Sequence, residues 1–476
     1  MGTARRIGKN ALYLGTAEVI SRILQFMVML YAARLLSQQS FGKFSFAVSL
    51  SFIAVILADL GINTLIVREI ARNKSLASKY FVNAFSIKIL LSIIAFLVVA
   101  FVLNALSYPP DTREIVYVIW LFTILSTFTE LFYSIFRAFE VMFYDALLKI
   151  LRMVILAITS IYVLFKGYGV VVFGYTFILA EIIVVLMAFL IAFTKFIKIK
   201  MEIDWPFIKI LLKSALPFGM AFIFGSIYFF IGSIILSKIK GDAEVAIFSA
   251  AYNIILALLF IPTVYTNAIY PVLSRYYHQS KPELRLLYER SFKYLYIIGI
   301  PVSIGIFMLS KDILNFLYGA KYAAAAIALQ IISLYLFLKF INFLMGTVLS
   351  SIDQQNKRML GQGVTAVLNV MLNLLLIPSI GFAGAALATL ITEIFLFVIY
   401  YMFVSRSWYY YNFISMMVKP LIAVIFMSLF IHFTNLGLMA TILASGVIYF
   451  AAIFILRILD NEDYRIINKI LKNEAQ

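Results

Sequence analysis

The chain alternates between long apolar runs and short polar gaps over its whole length. A helix that crosses the hydrocarbon core of a bilayer needs about 20 mostly apolar residues, and the runs have about that length. The pattern therefore predicts an all-α polytopic membrane protein with about fourteen transmembrane helices. The predicted helices occupy residues 11–36, 41–67, 80–106, 115–138, 144–166, 170–194, 211–237, 245–272, 293–310, 323–350, 359–378, 382–405, 417–435 and 438–457.

The composition agrees with lipid as the solvent for this apolar surface. Hydrophobic residues make up 64% of the chain and charged residues 13%, against about 25% charged residues in soluble domains. The sequence contains no cysteine, which excludes disulfides, thiol nucleophiles and cysteine-based zinc sites. The first apolar run follows three basic residues and is too long for the core of a cleavable signal, so we expect it to remain as a membrane helix.

Basic residues are distributed unevenly between the two alternating sets of gaps. If the N-terminus is cytoplasmic, 27 of the 39 Lys and Arg residues fall in cytoplasmic segments and 7 in outer loops. Lys and Arg are enriched on the cytoplasmic side of membrane proteins. The distribution predicts a multi-pass protein of the cell (plasma) membrane with both termini cytoplasmic. It also explains the net charge of +17 without nucleic-acid binding.

Two cytoplasmic gaps contain signals for amphipathic helices. Asp204 precedes Pro206, and Ser280 and Glu283 have the spacing of a capping box around Pro282. Apolar residues follow on one face in both segments. We interpret these segments as helices in the inner membrane interface, a reading we favour over helices that bind a partner protein.

The two halves of the chain resemble each other. At an offset of 204 residues Gly15 corresponds to Gly219, and at an offset of 212 residues Glu181 corresponds to Glu393. The offset spans an even number of helices, so the repeats run parallel, related by an axis along the membrane normal, as in transporters with a central site between two lobes. We predict an N-terminal six-helix lobe at 1–200, a C-terminal six-helix lobe at 201–406, and two additional helices with a cytoplasmic tail at 407–476.

Ionisable residues inside the apolar runs are candidates for a functional site. A charged side chain at the centre of a bilayer costs at least about 2.5 kcal/mol, so it normally faces a wet cavity or a partner. Arg22 lies near the centre of the first run, where its side chain cannot easily reach the membrane surface. The candidate cavity residues are Arg22, Lys88, Arg152, Arg34, Glu18, Asp59, Glu130 and Lys339.

Several of these charges also have a structural interpretation. Glu18 and Arg22 are four residues apart on one helix face and could neutralise each other. Asp59 could pair with Arg68 or cap a helix break at Gly61.

Position along the helices suggests alternatives for other charges. Lys88 and Arg152 each lie about 12 Å from a cytoplasmic helix end, at 1.5 Å per residue, and could extend their charged groups to the surface. The equivalent positions of Glu181 and Glu393 in the two halves favour a role in helix packing.

Short segments in the first, second and twelfth helices have an order and spacing that point to one family. These segments are Ser21-Arg22-Ile23-Leu24, Ala33-Arg34-Leu35-Leu36, Phe41-Gly42, Ala58-Asp59-Leu60-Gly61, Ile66-Val67-Arg68-Glu69-Ile70-Ala71-Arg72 and Gly381-Phe382-Ala383-Gly384-Ala385-Ala386. Together with the helix count they resemble the polysaccharide-transporter flippases. These are relatives of the lipid II flippases and multidrug extruders in the multidrug/oligosaccharidyl-lipid/polysaccharide exporter superfamily.

The resemblance implies that a polyprenyl-pyrophosphate-linked oligosaccharide is turned from the cytoplasmic to the outer leaflet. The sugar and pyrophosphate pass through a cationic cavity while the polyprenyl tail stays in lipid. Arg22 resembles the cavity arginine of the lipid II flippases, and Arg34 a second arginine nearer the outer mouth. Arg22, Lys88 and Arg152 in one lobe supply positive charge for a pyrophosphate. The acidic cluster that some relatives carry in helices 7–8 is missing, so H⁺ and Na⁺ both stay open as coupling ions; no cofactor is expected.

Two other functions fit the sequence less well. An ion-coupled multidrug exporter of organic cations would favour net negative charge in the first lobe, whereas Glu18 stands beside Arg22. A membrane polymerase or glycosyl transferase needs acids, bases or metal ligands on a substantial loop, and the gaps here are short and mostly basic. We expect a flippase rather than an enzyme. Its expected partners are the lipid-linked substrate, membrane lipids and polysaccharide polymerase or glycosyl transferase machinery.

Overall fold

The computed structural model describes residues 3–198, 202–460 and 462–463, and over these residues the chain is all-α. Two short 3-10 turns, Lys74–Leu76 and Ala320–Tyr322, lie between helices. The α-helices are α1 (Thr3–Leu35), α2 (Gln38–Asp59), α3 (Ile62–Arg72), α4 (Ala77–Ala105), α5 (Pro110–Ala138), α6 (Met142–Phe165), α7 (Gly169–Lys195), α8 (Trp205–Lys240), α9 (Asp242–Leu258), α10 (Phe260–Gln279), α11 (Lys281–Tyr318), α12 (Ala325–Ser351), α13 (Gln355–Ser407), α14 (Ile414–Phe433) and α15 (Leu438–Ile455).

The helices confirm the predicted class of a polytopic membrane protein. Thirteen segments among the described residues are long and apolar enough to cross a bilayer. One of them, α13, has 53 residues and would extend about 80 Å, far more than a bilayer needs. Its backbone leaves the helical conformation at Ile380 and Gly381, between the predicted helices 359–378 and 382–405. Counted as two, α13 brings the number of spans to the predicted fourteen.

The second predicted helix, 41–67, is two helices rather than one. Leu60 and Gly61 both adopt left-handed backbone angles, with φ of 46° and 82°, and these end α2 before α3 begins. The Oδ2 atom of Asp59 accepts a hydrogen bond from the Gly61 backbone N at 3.2 Å. A carboxylate that bonds the backbone two residues on stabilises such a turn. The predicted helix 245–272 also divides, into α9 and α10, but at Leu259, whose backbone angles stay right-handed.

The predicted interface helices are not separate elements. Asp204 caps α8 as expected, since its Oδ1 atom accepts from the Phe207 backbone N at 3.0 Å. However, α8 continues without interruption to Lys240, and α11 likewise continues from Lys281 to Tyr318. Each amphipathic segment is therefore the first part of a membrane-spanning helix. The sequence did not reveal this continuity, because a change from amphipathic to apolar pattern does not by itself end a helix. The position of these segments at the inner interface stays a prediction.

The described residues form two compact units. The first is drawn from residues 1–260, 317–325 and 362–388, and the second from residues 261–316, 326–361 and 389–476. Within the first unit α8 packs closely on the break between α2 and α3, because a Cβ atom at Gly219 would lie 2.7 Å from the Leu60 carbonyl oxygen. The units do not follow the predicted boundaries at residues 200 and 406. The arrangement of two six-helix lobes stays a prediction.

The repeat-related glutamates make the same kind of contact in their own units. In the first unit Glu181 of α7 accepts a hydrogen bond from the Thr129 hydroxyl of α5 at 2.6 Å. In the second unit Glu393 of α13 accepts one from the Asn342 amide of α12 at 2.8 Å. Both glutamates are fully buried. Each joins the fourth and sixth helices of a predicted lobe, which agrees with a packing role for this pair of positions.

Candidate functional site

A cavity of about 610 Å³, here called the large cavity, lies within the first unit among α2, α3, α5 and α8. Its volume falls in the range of ~300–1,000 Å³ that is usual for ligand pockets. The charged side chains on its wall are Asp59, Arg68, Glu130 and Arg137.

The break between α2 and α3 shapes one part of this wall. Because the chain turns at Leu60 and Gly61, Asp59 at the end of α2 and Asn63 in the first turn of α3 both line the cavity. One helical turn further along α3, Arg68 lines it as well. In a continuous helix Asp59 and Asn63, four residues apart, would still share a face, but Arg68, nine residues after Asp59, would lie on the opposite face.

One face of α5 forms another part of the wall. Thr123, Thr127, Glu130 and Arg137 follow one another at intervals of four, three and seven residues. These intervals place the four side chains on the same face of a helix. A polar face on a helix that is otherwise apolar must find a polar or wet environment, which the cavity provides.

Both arginines of the large cavity already have carboxylate partners. The Nη2 atom of Arg137 lies 3.2 Å from Glu130 Oε2, and its Nε atom lies 2.6 Å from Asp145 Oδ2. The Nε atom of Arg68 lies 2.8 Å from Glu69 Oε1. The positive charge on this wall is therefore balanced by acids of the same chain.

Lys88 is fully buried and forms an ion pair with Asp59, with 2.5 Å between Nζ and Oδ1. A weaker contact of 3.4 Å joins the same Nζ atom to Asn63 Oδ1. The alternative that Lys88 extends to the membrane surface is thus wrong. Asp59 caps the break at Gly61, one of the two interpretations offered by the sequence, and also neutralises Lys88.

Arg22 and Glu18 form an ion pair that remains partly accessible. The Nε atom of Arg22 lies 2.8 Å from Glu18 Oε1, and the two side chains are 45% and 37% exposed. Arg22 also lines a second, smaller cavity of about 50 Å³ in the first unit, together with Gln25 and Asn253. The sequence offered pairing with Glu18 and access to a cavity as alternatives for Arg22, and the structure shows both.

The third predicted cation of the first lobe, Arg152, lies against a buried acid. Its Nη1 atom is 3.4 Å from Glu181 Oε2, while Thr129 bonds the other oxygen of that carboxylate. Neither Arg152 nor Lys88 is among the residues that line the large cavity or the cavity at Arg22. The structure therefore does not bring Arg22, Lys88 and Arg152 into one of these cavities.

The two remaining candidates lie elsewhere. In the second unit the Nζ atom of Lys339 is 3.1 Å from Glu393 Oε2, and both side chains are buried. Arg34 is exposed at the end of α1, where its backbone carbonyl accepts a hydrogen bond of 2.8 Å from Lys321. Among the described residues, no group of three His, Asp or Glu side chains is placed to hold a metal ion.

Of the eight candidates, Asp59 and Glu130 line the large cavity and Arg22 lines the small one. Sequence reasoning missed Arg137 and Thr127. The regular spacing of polar residues along α5 was the signal that could have identified them. Membrane-spanning helices around a cavity that carries polar and charged side chains are the arrangement of a transporter.

Comparison with known proteins identifies the family. Residues 7–277 match the sequence model of the polysaccharide biosynthesis protein family, and this match covers more than half of the chain. The chain belongs to this family, within the multidrug/oligosaccharidyl-lipid/polysaccharide exporter superfamily. Residues 217–375 also match the MatE family.

Individual proteins are similar over different lengths. CapF, a capsular polysaccharide biosynthesis protein of Staphylococcus aureus, is 24% identical over 413 residues, which are 84% of this chain and 99% of CapF. Agl15, a probable low-salt glycan biosynthesis flippase of Haloferax volcanii, is 22% identical over 35% of each chain. A structure of the lipid II flippase MurJ in an inward closed conformation has a TM-score of 0.77 at 18% identity, covering 94% of this chain and 99% of that one. The similarity to MurJ shows that the two proteins share a fold.

Proposed function

We propose that the protein is a flippase that moves a polyprenyl-pyrophosphate-linked oligosaccharide from the inner to the outer leaflet by alternating access. The transfer would serve the synthesis of a cell-surface polysaccharide or glycan. The observation that carries the proposal is the large cavity among the membrane-spanning helices of the first unit, with charged, hydroxyl and amide side chains on its wall. The family of the chain and the names of CapF and Agl15 support the same function.

The chemistry of such a substrate explains why a cavity of this kind is needed. The hydroxyl groups of a glycan cannot shed their hydrogen bonds to water without compensation, so the glycan does not cross hydrocarbon by itself. The hydroxyl, amide and charged groups on the cavity wall can replace water around it. The polyprenyl chain needs no such shelter, because it is as apolar as the surrounding lipid.

Arg22 is the residue we assign to the pyrophosphate. Its side chain is 45% exposed and borders a cavity, so a phosphate can approach the guanidinium group without burial of an unpaired charge. Arginine offers rigid paired donors that match two phosphate oxygens. Glu18 competes for the same donors, and substrate binding requires that the phosphate replace this carboxylate for part of the cycle.

The topology and partners follow from the same proposal. With both termini in the cytoplasm, the break between α2 and α3 lies toward the inner side, where a lipid-linked precursor is assembled. The protein would act between the glycosyl transferases that build the oligosaccharide and a polymerase or transferase that uses it outside.

A multidrug exporter is the second candidate, favoured by the match of residues 217–375 to the MatE family. An organic cation needs an excess of negative charge in its site. The large cavity instead carries two carboxylates and two guanidinium groups, and each guanidinium is paired with an acid. This balance favours a polar uncharged head group over a cation.

Reconstitution into liposomes tests the two candidates directly. Purified protein is inserted into vesicles that carry either a fluorescent lipid-linked oligosaccharide in one leaflet or a fluorescent organic cation in the lumen. The flippase proposal expects transfer of the lipid-linked sugar between leaflets above the rate in empty vesicles, with no export of the cation. Export of the cation without transfer of the sugar would replace it with the exporter.

A further inference from the structure

The resemblance to lipid II flippases implies a cationic cavity for sugar and pyrophosphate together, but the large cavity is not cationic. Its four charged lining residues, Asp59, Arg68, Glu130 and Arg137, sum to no net charge. A pyrophosphate placed there would face two carboxylates and would have to displace Glu130 from Arg137. Like charges at close range repel strongly in a membrane-embedded site.

The remaining lining groups suit a glycan. Asn63, Thr64, Thr123, Ser126, Thr127 and Ser226 present hydroxyl and amide groups. Phe52 and Phe222 add flat apolar surfaces, on which the less polar face of a sugar ring can lie. A sugar ring combines hydroxyl edges with such faces, so this mixture is complementary to it.

One wall residue has an unused hydrogen-bonding group. Thr127 is buried, and its hydroxyl has no hydrogen-bond partner among the described residues. A buried hydroxyl without a partner destabilises a protein, and rotation about the Thr127 Cα–Cβ bond would let this hydroxyl pair with a ligand hydroxyl in the cavity. This is the arrangement expected of a residue that binds a polyhydroxylated ligand.

We propose that the large cavity is a glycan subsite, and that it binds the uncharged sugar residues of the substrate while the pyrophosphate is held elsewhere. This inference rests on the proposed function and deepens it. Residues Asn63, Thr127 and Glu130 would then set which glycans the protein accepts. The pyrophosphate would be recognised at Arg22, whose small cavity shares no lining residue with the large one.

A labelling experiment tests the subsite without any transport step. Because the chain contains no cysteine, Ser126→Cys places a single thiol on the cavity wall of the full-length protein. The probes are the oligosaccharide released from the lipid-linked precursors of the host, and inorganic pyrophosphate. Ser75→Cys, on the exposed turn between α3 and α4, is the control for effects on the reagent itself. The released oligosaccharide is expected to slow labelling at 126 but not at 75, and pyrophosphate to slow neither.

Protection at 126 by pyrophosphate alone, or by neither probe, would overturn the inference. The same labelling separates it from the proposed function. Loss of leaflet transfer with sugar protection intact would contradict the flippase, whereas transfer without protection would contradict only the glycan subsite.

A pair of matched substitutions adds a transport test. Thr127→Val removes the unpartnered hydroxyl at nearly constant volume. The matched control is Thr112→Val, also on α5. The Thr112 hydroxyl is likewise buried without a partner among the described residues, but Thr112 does not line the cavity. Thr127→Val is expected to slow transfer of the intact lipid-linked oligosaccharide by about three- to tenfold, the worth of one hydrogen bond. Transfer of the same lipid trimmed to one sugar should change by less than about twofold, since few hydroxyl contacts remain.

Thr112→Val should alter neither rate. Ser226→Phe, which fills part of the cavity from α8, should slow the larger substrate more than the trimmed one. Equal slowing of both substrates by Thr127→Val and Ser226→Phe would mean that the cavity holds the pyrophosphate, and no slowing by either variant would mean that it holds no part of the substrate.

Discussion

The ammonium group of Lys88 lies 2.5 Å from Oδ1 of Asp59, although the lysine is fully buried and the two residues are 29 positions apart in the sequence. The same pattern recurs at Arg22, Arg152, Arg137 and Lys339, each of which has a carboxylate of this chain within 3.4 Å. In the absence of substrate, each of these five cations is thus neutralised by a carboxylate of the same chain. Any anionic substrate must compete with these carboxylates.

Breaking the Lys88–Asp59 pair should destabilise the protein strongly. Asp59→Asn leaves a buried ammonium group without its counter-charge, for which we expect a loss of about 3–5 kcal/mol in unfolding free energy. Adding Lys88→Met should restore part of the loss, because the unpaired charge is removed. Thermal unfolding in detergent measures both variants.

The control for this prediction is Arg285→Gln, which breaks an exposed pair with Glu289 on α11. Exposed pairs contribute about 0–1 kcal/mol, so its unfolding temperature should stay close to that of the wild type. If Asp59→Asn were as mild as this control, the buried pair would not have the stabilising role assigned to it.

The stability that Asp463 contributes, near the end of the described residues, should decrease at acid pH. Asp463 accepts hydrogen bonds from Lys293 Nζ at 2.5 Å and from the Tyr294 hydroxyl at 2.6 Å, and it also bonds Arg290. Burial of Asp463 opposes its ionisation, but the bonds to Lys293 and Tyr294 outweigh this effect and hold the pKa of the carboxyl below its ordinary value. A lowered pKa adds stability that is complete above the unfolded-state pKa of about 3.9 and is lost as the pH falls toward the folded-state value.

The measurement is the difference in unfolding temperature between the wild type and Asp463→Asn. It should be constant from pH 7 to about pH 5 and should shrink below about pH 4, as the native carboxyl becomes protonated. A difference that grows on acidification would contradict the assignment of these contacts.

Topology can be checked with the same cysteine-free chain. Asp111 lies at the start of α5 with its side chain 61% exposed. The basic-residue distribution predicts that it lies outside the cell. Asp111→Cys should react with an impermeant thiol reagent in intact cells. Ser75→Cys, on the exposed turn before α4, should react only after permeabilisation. The reverse order of reactivity would invert the topology.

The sequence was sufficient for the helices because apolar length is a local property. It located the fourteen spans, including the division of α13 near Gly381. It offered a break at Gly61 only as one alternative within the predicted helix 41–67, because nothing in the residue type of Leu60 indicates its left-handed conformation. The continuity of α8 and α11 was also missed, because a polar segment can begin a helix that then enters the bilayer.

The site was less predictable because it depends on contacts between distant residues. Depth in the membrane marked Asp59 and Glu130 as candidates, and both line the large cavity. It could not show that Lys88 points to Asp59 or that Arg152 points to Glu181, since each partner lies on another helix. The spacing along α5 could have identified Thr127 and Arg137 as cavity residues, because they share one helix face with Thr123 and Glu130.

Leaflet transfer by Arg22 variants is the most direct test of whether Arg22 holds the pyrophosphate. Because the pair with Glu18 is partly exposed, Arg22→Ala and Glu18→Gln should each cost no more than about 1 kcal/mol in stability, so both proteins can be compared with the wild type when folded. In reconstituted vesicles Glu18→Gln should transfer a fluorescent lipid-linked oligosaccharide at a rate near that of the wild type. Arg22→Ala should lose transfer, and Arg22→Lys should recover only part, since a point charge replaces a bidentate donor. Full transfer by a folded Arg22→Ala protein would contradict the central claim that Arg22 holds the pyrophosphate during flipping.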